Sequence, residues 1–376
     1  MTWALSRFRA GDVVEVRSKE EILATLDDEG CVEGMPFMPE MLQFCGGRFR
    51  VSAVAHKTCE TALRTYKGRR LNRTVHLQGL RCDGSAHGGC EADCNLFWKD
   101  VWLKPAGAEA DVDAEATAFA KGGTAPLRCT EERLLANAQL PSEGPECEVR
   151  YSCQATRLFD ATAPLKAWDP RQYVFDVVTR NHSVGRVFRV VWLASLRELL
   201  RVTPFGYRAV RWFSDRMHRW LTGRPTPALD AKIPSGQPTP TGRLGLQAGE
   251  LVRIKPKEAI EETIDAQGKN RGLSFDIEEM APYCGGVYKV RRTVTRILDE
   301  ETGKMLRMKQ PCIILEDVVC RAEYARCRLN CPRAFPAYWR ELWLERVGPD
   351  PQENRQGVDE APRTASSPSP HPTPAI

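Results

Sequence analysis

An α+β chain is predicted, with two small, similar β-rich modules flanking a helical, basic segment. Three observations predict it. The chain repeats itself at low identity. Its short valine-rich stretches alternate apolar and polar residues, which is strand periodicity. One internal stretch instead carries apolar residues at helical spacing among many arginines.

The repeat sets the organisation. AGDVVEVRSKEEILATLDDEGCVEGMPFMPEMLQFCGGRFRV near the start answers QAGELVRIKPKEAIEETIDAQGKNRGLSFDIEEMAPYCGGVYKV after residue 246. Gly11 matches Gly249, Glu20 Glu258, Ile22 Ile260, Asp27 Asp265, Gly34 Gly272 and Phe37 Phe275. After a one-residue shift, Met41 matches Met280, and Cys45-Gly46-Gly47 matches Cys284-Gly285-Gly286. NLFWKDVWLK lies opposite PAYWRELWLE, so Trp98 and Trp102 answer Trp339 and Trp343. The predicted boundaries are a first module at 5–105, a linker at 106–126, a basic helical insert at 127–221, a second linker at 222–243, a second module at 244–348 and a Pro/Ser/Thr-rich disordered tail at 349–376.

Within a module, GDVVEVRS alternates and reads as a strand. Ser18 followed three residues later by Glu21 is a capping-box pattern, so a short helix follows. Gly46-Gly47 launches GRFRVSAVAHKTC, read as one second strand, and RTVHLQGLRC is the third. ADCNLFWKDVWLK places Leu96, Phe97 and Val101 at helical spacing. Strand, excursion, hairpin and closing element together predict a small SH3-like β-barrel with helical additions.

Composition bounds the function classes. The chain has 376 residues, 42% hydrophobic, enough for several domains with true cores. A net charge of +5 is too mild to demand nucleic acid by itself. No signal-peptide-like apolar run opens the sequence, and no stretch is long and apolar enough to span a membrane. The expectation is a cytoplasmic chain whose thiols stay reduced. Its 14 cysteines then point to metal or redox chemistry before structural disulfides.

The strongest candidate sites are cysteines. Cys45 opens the second strand and Cys82 closes the third, so an antiparallel hairpin makes them neighbours. Cys90 and Cys94 follow closely, and on a helix they would share a face. The second module carries Cys284, Cys320, Cys327 and Cys331 in matching positions. Two metal sites of four cysteines each are therefore predicted, with structural zinc ranked first, an iron–sulfur cluster second, and inert buried thiols or disulfides third. No Cys-x2-Cys knuckle surrounds either set, which keeps the iron–sulfur reading open. His87 is an additional candidate ligand, and so are His56 and Cys59. Cys129, Cys147 and Cys153 are irregularly spaced and rank low as a further site.

His56 and Cys59 also have a base-and-nucleophile reading, but residues three apart on a strand face opposite ways. The second module has Thr295 and Leu298 there. No phosphate loop, nucleophile elbow or HExxH occurs, so catalysis does not lead.

Residues 184–224 hold nine arginines against Glu198 and Asp215, interleaved with aromatics. Arg186, Arg189, Arg197 and Arg201 fall on one face of a first helix. Pro204 and Gly206 break it, and Arg208, Arg211, Arg216 and Arg219 decorate a second. The broad apolar face has three readings: packing on the modules, resting on an anionic membrane surface, or gripping nucleic acid.

The pattern GDVVEVRSKEEILATLD…PFMPEM…CGGRFRV…HKTC…RCDGSAHGGC…C..FW resembles a family of uncharacterised bacterial proteins built on a repeated Cys-rich module. The resemblance covers both modules and implies no activity. The second module lacks the HKTC and DGSAHGG segments. The overall expectation is a non-catalytic binding or scaffold protein with two zinc-stabilised modules and a protein partner. The alternatives are an iron–sulfur redox or enzyme-accessory protein and a nucleic-acid-binding protein that uses the basic insert.

Overall fold

Alternation builds the first strand: in β1 (Val13–Val16), Val14 and Val16 are fully buried while Val13 faces water. The computed structural model to which it belongs describes residues 3–61, 67–106, 129–140, 148–202, 207–223, 226–324 and 329–348. Cys147, Cys327 and the 349–376 tail lie outside the described residues, as does nearly all of the 106–126 linker. Helices are mixed with several small sheets, which is compatible with an α+β class.

In the first module β1 is joined by β2 (Arg48–Val54), β3 (Thr74–Leu77), β4 (Trp98–Lys99) and β5 (Leu103–Pro105). The sheet is antiparallel, in the order β4-β3-β2-β1-β5. The second module repeats that order with β6 (Leu251–Ile254), β7 (Val287–Leu298), β8 (Met305–Val319), β9 (Pro336–Trp339) and β10 (Leu344–Arg346), arranged β9-β8-β7-β6-β10. Neither sheet closes into a barrel. The strands that would have to meet, β4 and β5, are two and three residues long and stand at opposite edges. They are too short to pair on both sides.

Helix α1 (Lys19–Thr25) starts where the capping box places it: Glu21 N–H donates to Ser18 Oγ at 3.2 Å, and Ser18 N–H to Glu21 Oε2 at 2.9 Å. Two expected elements differ. No helix covers 92–104. The chain runs through β4, a 3-10 turn (Asp100–Trp102) and β5. This extended–turn–extended path turns both Trp98 and Trp102 inward, edge-on to Phe37 at centroid distances of 6.1 and 5.1 Å. Phe275, Trp339 and Trp343 form the same trio in the second module. The second strand also does not run unbroken to Cys59. It stops at Val54 and restarts as Lys57–Cys59 in a separate ribbon with Gly68–Arg70 and Ala163–Pro164. His56 sits at the break, its side chain 3.2 Å from the carboxylate of Asp176.

Between the modules lie α2 (Glu131–Asn137), a ribbon of Gln139–Leu140 with Arg150–Tyr151, α3 (Arg171–Val178), α4 (Val184–Val202) and α5 (Tyr207–Thr222). Cys129, Leu134, Cys153, Ala155 and Leu158 join the first module's core. Residues 226–243, expected as linker, run along the second module, where Arg271 Nε donates to Thr239 O at 2.8 Å. The long β7–β8 hairpin reaches the other way: Ile297, Leu298 and Met305 pack on the first module's core. That packing brings one loop of the first module under cover.

Candidate metal centre

The covered loop is Arg81–Asn95. Backbone bonds close its neck, with Cys82 N–H donating to Cys94 O at 2.8 Å and Arg81 bridged to Asn95. Asp83 Oδ1 accepts from Ser85 N–H and Oγ at 2.9 and 2.7 Å, an Asx turn that folds the tip back. Gly84 makes that fold feasible: its φ is +76°, and a Cβ there would lie 2.1 Å from Cys90 O. His87 and Gly89 both donate their N–H to Gly84 O. The result aims His87 inward and sets it against Cys82.

Glu40 completes the set from the 3-10 segment Pro39–Phe44. Cys82 Sγ lies 3.3 Å from Glu40 Oε1 and 3.6 Å from His87 Nε2, and His87 Nδ1 is 3.4 Å from Glu40 Oε1. One carboxylate oxygen, one sulfur and one imidazole nitrogen thus lie within 4.8 Å of one another. Among the described residues this is the one group of three or more such side chains that can hold a metal ion. Glu40 and His87 are buried. Burial pushes the Cys82 thiol well up, pushes the Glu40 carboxyl up and lowers the His87 imidazole to about 4. Without a cation, burial therefore favours the neutral form of all three. Glu40 Oε2 and His87 Nδ1 are buried without a hydrogen-bond partner, an arrangement that costs free energy unless something binds there.

The donor set fits a small divalent cation. With zinc bonds of about 2.0–2.3 Å in a tetrahedron, ligand-to-ligand edges are about 3.3–3.8 Å. The Cys82 Sγ to Glu40 Oε1 separation, 3.3 Å, falls in that range, and so does one His87 edge through either ring nitrogen, Nε2 to Cys82 at 3.6 Å or Nδ1 to Glu40 at 3.4 Å, with the remaining edge within 4.8 Å. Cys82 and His87 also line an adjoining cavity of about 40 Å³, together with Cys90, Cys94 and Cys153. Burial raises all three of these thiols, Cys153 to about 12. No three thiols among the described residues lie within 4.8 Å of one another, so they are more widely spaced than zinc thiolates.

The second module covers this loop. Leu298 N–H donates to Cys90 Sγ at 3.3 Å, and Thr295 N–H donates to Glu91 Oε2 at 2.6 Å. Arg291 pairs with Asp93 at 2.8 Å, and Tyr338 Oη donates to Ala92 O at 3.2 Å. Arg333, almost fully buried, donates to Cys59 O, Thr61 Oγ1 and Glu300 Oε1 at 3.3, 2.7 and 2.9 Å.

The other sequence candidates are distributed as follows. Cys45 is not among the residues lining the cavity. It sits near Lys19 and Glu20 of α1, its thiol raised by burial. The turn at Gly46-Gly47, which bonds to Val16, directs the chain toward β1 and separates Cys45 from the loop. Cys284 occupies the equivalent place near Lys257 and Glu258, its thiol raised to about 12 by burial. Cys320 and Cys331 line an open groove with Arg186 and His182. Cys59, set apart by the repeat argument, lies beside Cys331, whose thiol is pushed well up by its hydrogen bond with Cys59 and by burial. His56 is engaged with Asp176 and Gln172 O. Cys129 is buried beside Gly30. Arg186 pairs with Glu323 at 2.9 Å, Arg189 is half-buried, and Arg216 and Arg219 are exposed. The side chains of Arg197, Arg201, Arg208 and Arg211 lie outside the described set.

Glu40 is a functional candidate that sequence reasoning passed over, and Cys153 is one that it ranked low. Glu40 has a sequence counterpart, Glu279, whose Oε2 accepts the backbone N–H groups of Arg321 and Ala322 at 2.7 and 3.0 Å. The second module thus holds its loop through backbone amides where the first presents a thiol and an imidazole. No family model and no curated protein matches this sequence.

Proposed function

We propose that the protein is a non-catalytic metal-centre protein, with one divalent ion, zinc by donor preference, on Glu40, Cys82 and His87. The observation that supports this reading is the triad itself: three buried donors from two segments within 4.8 Å of one another, two of them with orphaned polar atoms. Two anionic donors would neutralise a doubly charged cation once their protons leave. The adjoining cavity, about 40 Å³, has room for a water or a thiol as fourth ligand. It is far below the roughly 300 Å³ of small-molecule sites, which favours a structural ion over a catalytic one. Each module reads as SH3-like. The strand order common to both sheets, with a 3-10 turn before the last strand, supports that reading and the duplication.

The iron–sulfur reading has its own support. Cys82, Cys90, Cys94 and Cys153 surround a single cavity at wider spacing than a mononuclear thiolate site needs. One experiment separates the two readings. The full chain is purified anaerobically, and its metals, labile sulfide and visible spectrum are measured for the wild type, His87→Gln, Glu40→Gln and Cys153→Ser. The zinc reading expects about one colourless zinc per chain, lost in His87→Gln and Glu40→Gln and retained in Cys153→Ser. Brown protein whose iron and colour depend on Cys153 replaces it with the cluster reading. Metal-free protein in every preparation sinks both.

A further inference from the structure

Helix α4 has two faces. Val187, Val190, Leu193, Ala194 and Leu196 are buried, while Val184, Phe188 and Trp192 are 67, 64 and 41% exposed. The exposed three recur every fourth residue and span an arc of about 80° at 100° per residue. Phe188 and Trp192 stack on one another with centroids 6.0 Å apart. Helix α5, packed against α4, is inverted. Its buried positions include the polar Ser214 and His218, and His218 Nε2 lies 3.0 Å from Tyr324 Oη. Its outward side chains are Trp212, Phe213 and Trp220, exposed by 65, 46 and 76%. Arg216 and Arg219 share the same arc, with Arg216 over the Trp212 ring at 5.7 Å. Neither arc contains an acidic residue.

Water is a poor solvent for this surface. Six large apolar side chains on two neighbouring helices exceed the scattered exposure normal for a protein surface. We infer that the outer face of α4 and α5 docks on an anionic lipid bilayer surface. Tryptophan and phenylalanine enter the headgroup boundary, and Arg216 and Arg219 meet lipid phosphates. Charge complementarity selects this occupant: the arginines lie among the aromatics, as in interfacial helices, and the arc they share carries no carboxylate. The mode is peripheral, since no described helix is long and apolar enough to cross a membrane. This inference does not depend on the metal centre.

The test uses the full chain, sedimented with phosphatidylcholine vesicles and with vesicles that also contain phosphatidylserine. The variants are Trp212→Ser with Trp220→Ser, and Arg216→Glu with Arg219→Glu. All four positions are exposed, and circular dichroism with thermal unfolding confirms that each variant folds. The wild type is expected to bind the anionic vesicles and show a blue-shifted tryptophan emission. The arginine pair should lower partitioning by at least about 25-fold, at roughly fivefold per charge removed, and the tryptophan pair should abolish the blue shift. Absence of vesicle binding by the wild type, or binding indifferent to both variants, overturns the inference. Self-association abolished by the tryptophan pair without vesicle binding assigns the face to a second copy. Salt-sensitive binding of single-stranded nucleic acid without vesicle binding assigns it to nucleic acid. Either of those results also overturns it.

Discussion

Replacing Asp176 by asparagine should unlock the junction between the first module, the insert and the second module. Asp176, on α3, is fully buried. Its Oδ2 accepts from Lys57 Nζ at 2.7 Å and from Asn330 Nδ2 at 3.3 Å. Lys57 follows the strand break, is 3% exposed, and has its ammonium disfavoured by burial, which Asp176 opposes. Burial disfavours the charged form of His56 as well, and Asp176 opposes that too. Asparagine keeps the shape and removes the counter-charge, leaving an ammonium buried without one. Breaking a buried pair in this way costs about 3–5 kcal/mol, or about two to four decades in the folding equilibrium. With a urea dependence of about 1–3 kcal/mol per molar, the midpoint should fall by at least about 1 M, followed by circular dichroism. Lys57→Met combined with Asp176→Leu removes both charges and should recover most of the loss, because an apolar pair leaves nothing unsatisfied. A loss below about 1 kcal/mol for the single variant, or a double variant no better than the single, would refute the reasoning.

Three further outcomes are expected. Gly84→Ala forces a Cβ against Cys90 O at a left-handed backbone position, so bound metal measured by elemental analysis should fall sharply while circular dichroism still shows a folded chain. Leu298→Ala removes a side chain of the second module from the first module's core and should cost about 2–5 kcal/mol, read from the unfolding midpoint. His76 is fully buried, its Nδ1 2.8 Å from Leu96 O, and burial lowers it from 6.5 to about 4. The unfolded chain therefore binds more protons between those pH values. The His76 contribution to stability should be full above pH 6.5 and decline by up to about 3 kcal/mol as pH falls to 4, a part of the slope that His76→Gln should remove.

Local signals are legible wherever the cause is local. The capping box at Ser18 and Glu21, the valine alternation of β1 and the two basic helices follow from short-range periodicity and side-chain-to-backbone bonds. The closing element departs from its pattern. Leu96, Phe97 and Val101 have helical spacing, yet burying Trp98 and Trp102 around Phe37 requires an extended path with a tight turn. Barrel closure is not legible at all, because edge strands of two and three residues are invisible to pattern reading.

The site shows the same division. Sequence alone points to the Cys82–Cys94 loop, through its density of thiols, and names His87 as a candidate ligand. Only the tertiary structure brings Glu40 to Cys82, adds Cys153 from the insert, carries Cys45 away toward α1 and lays the β7–β8 hairpin over the loop. A donor's identity is written in the chain, but which donors meet depends on contacts between segments 40 to 200 residues apart, such as Leu298 with Cys90. Packing and the burial of charge decide those contacts, and neither leaves a local trace in the sequence.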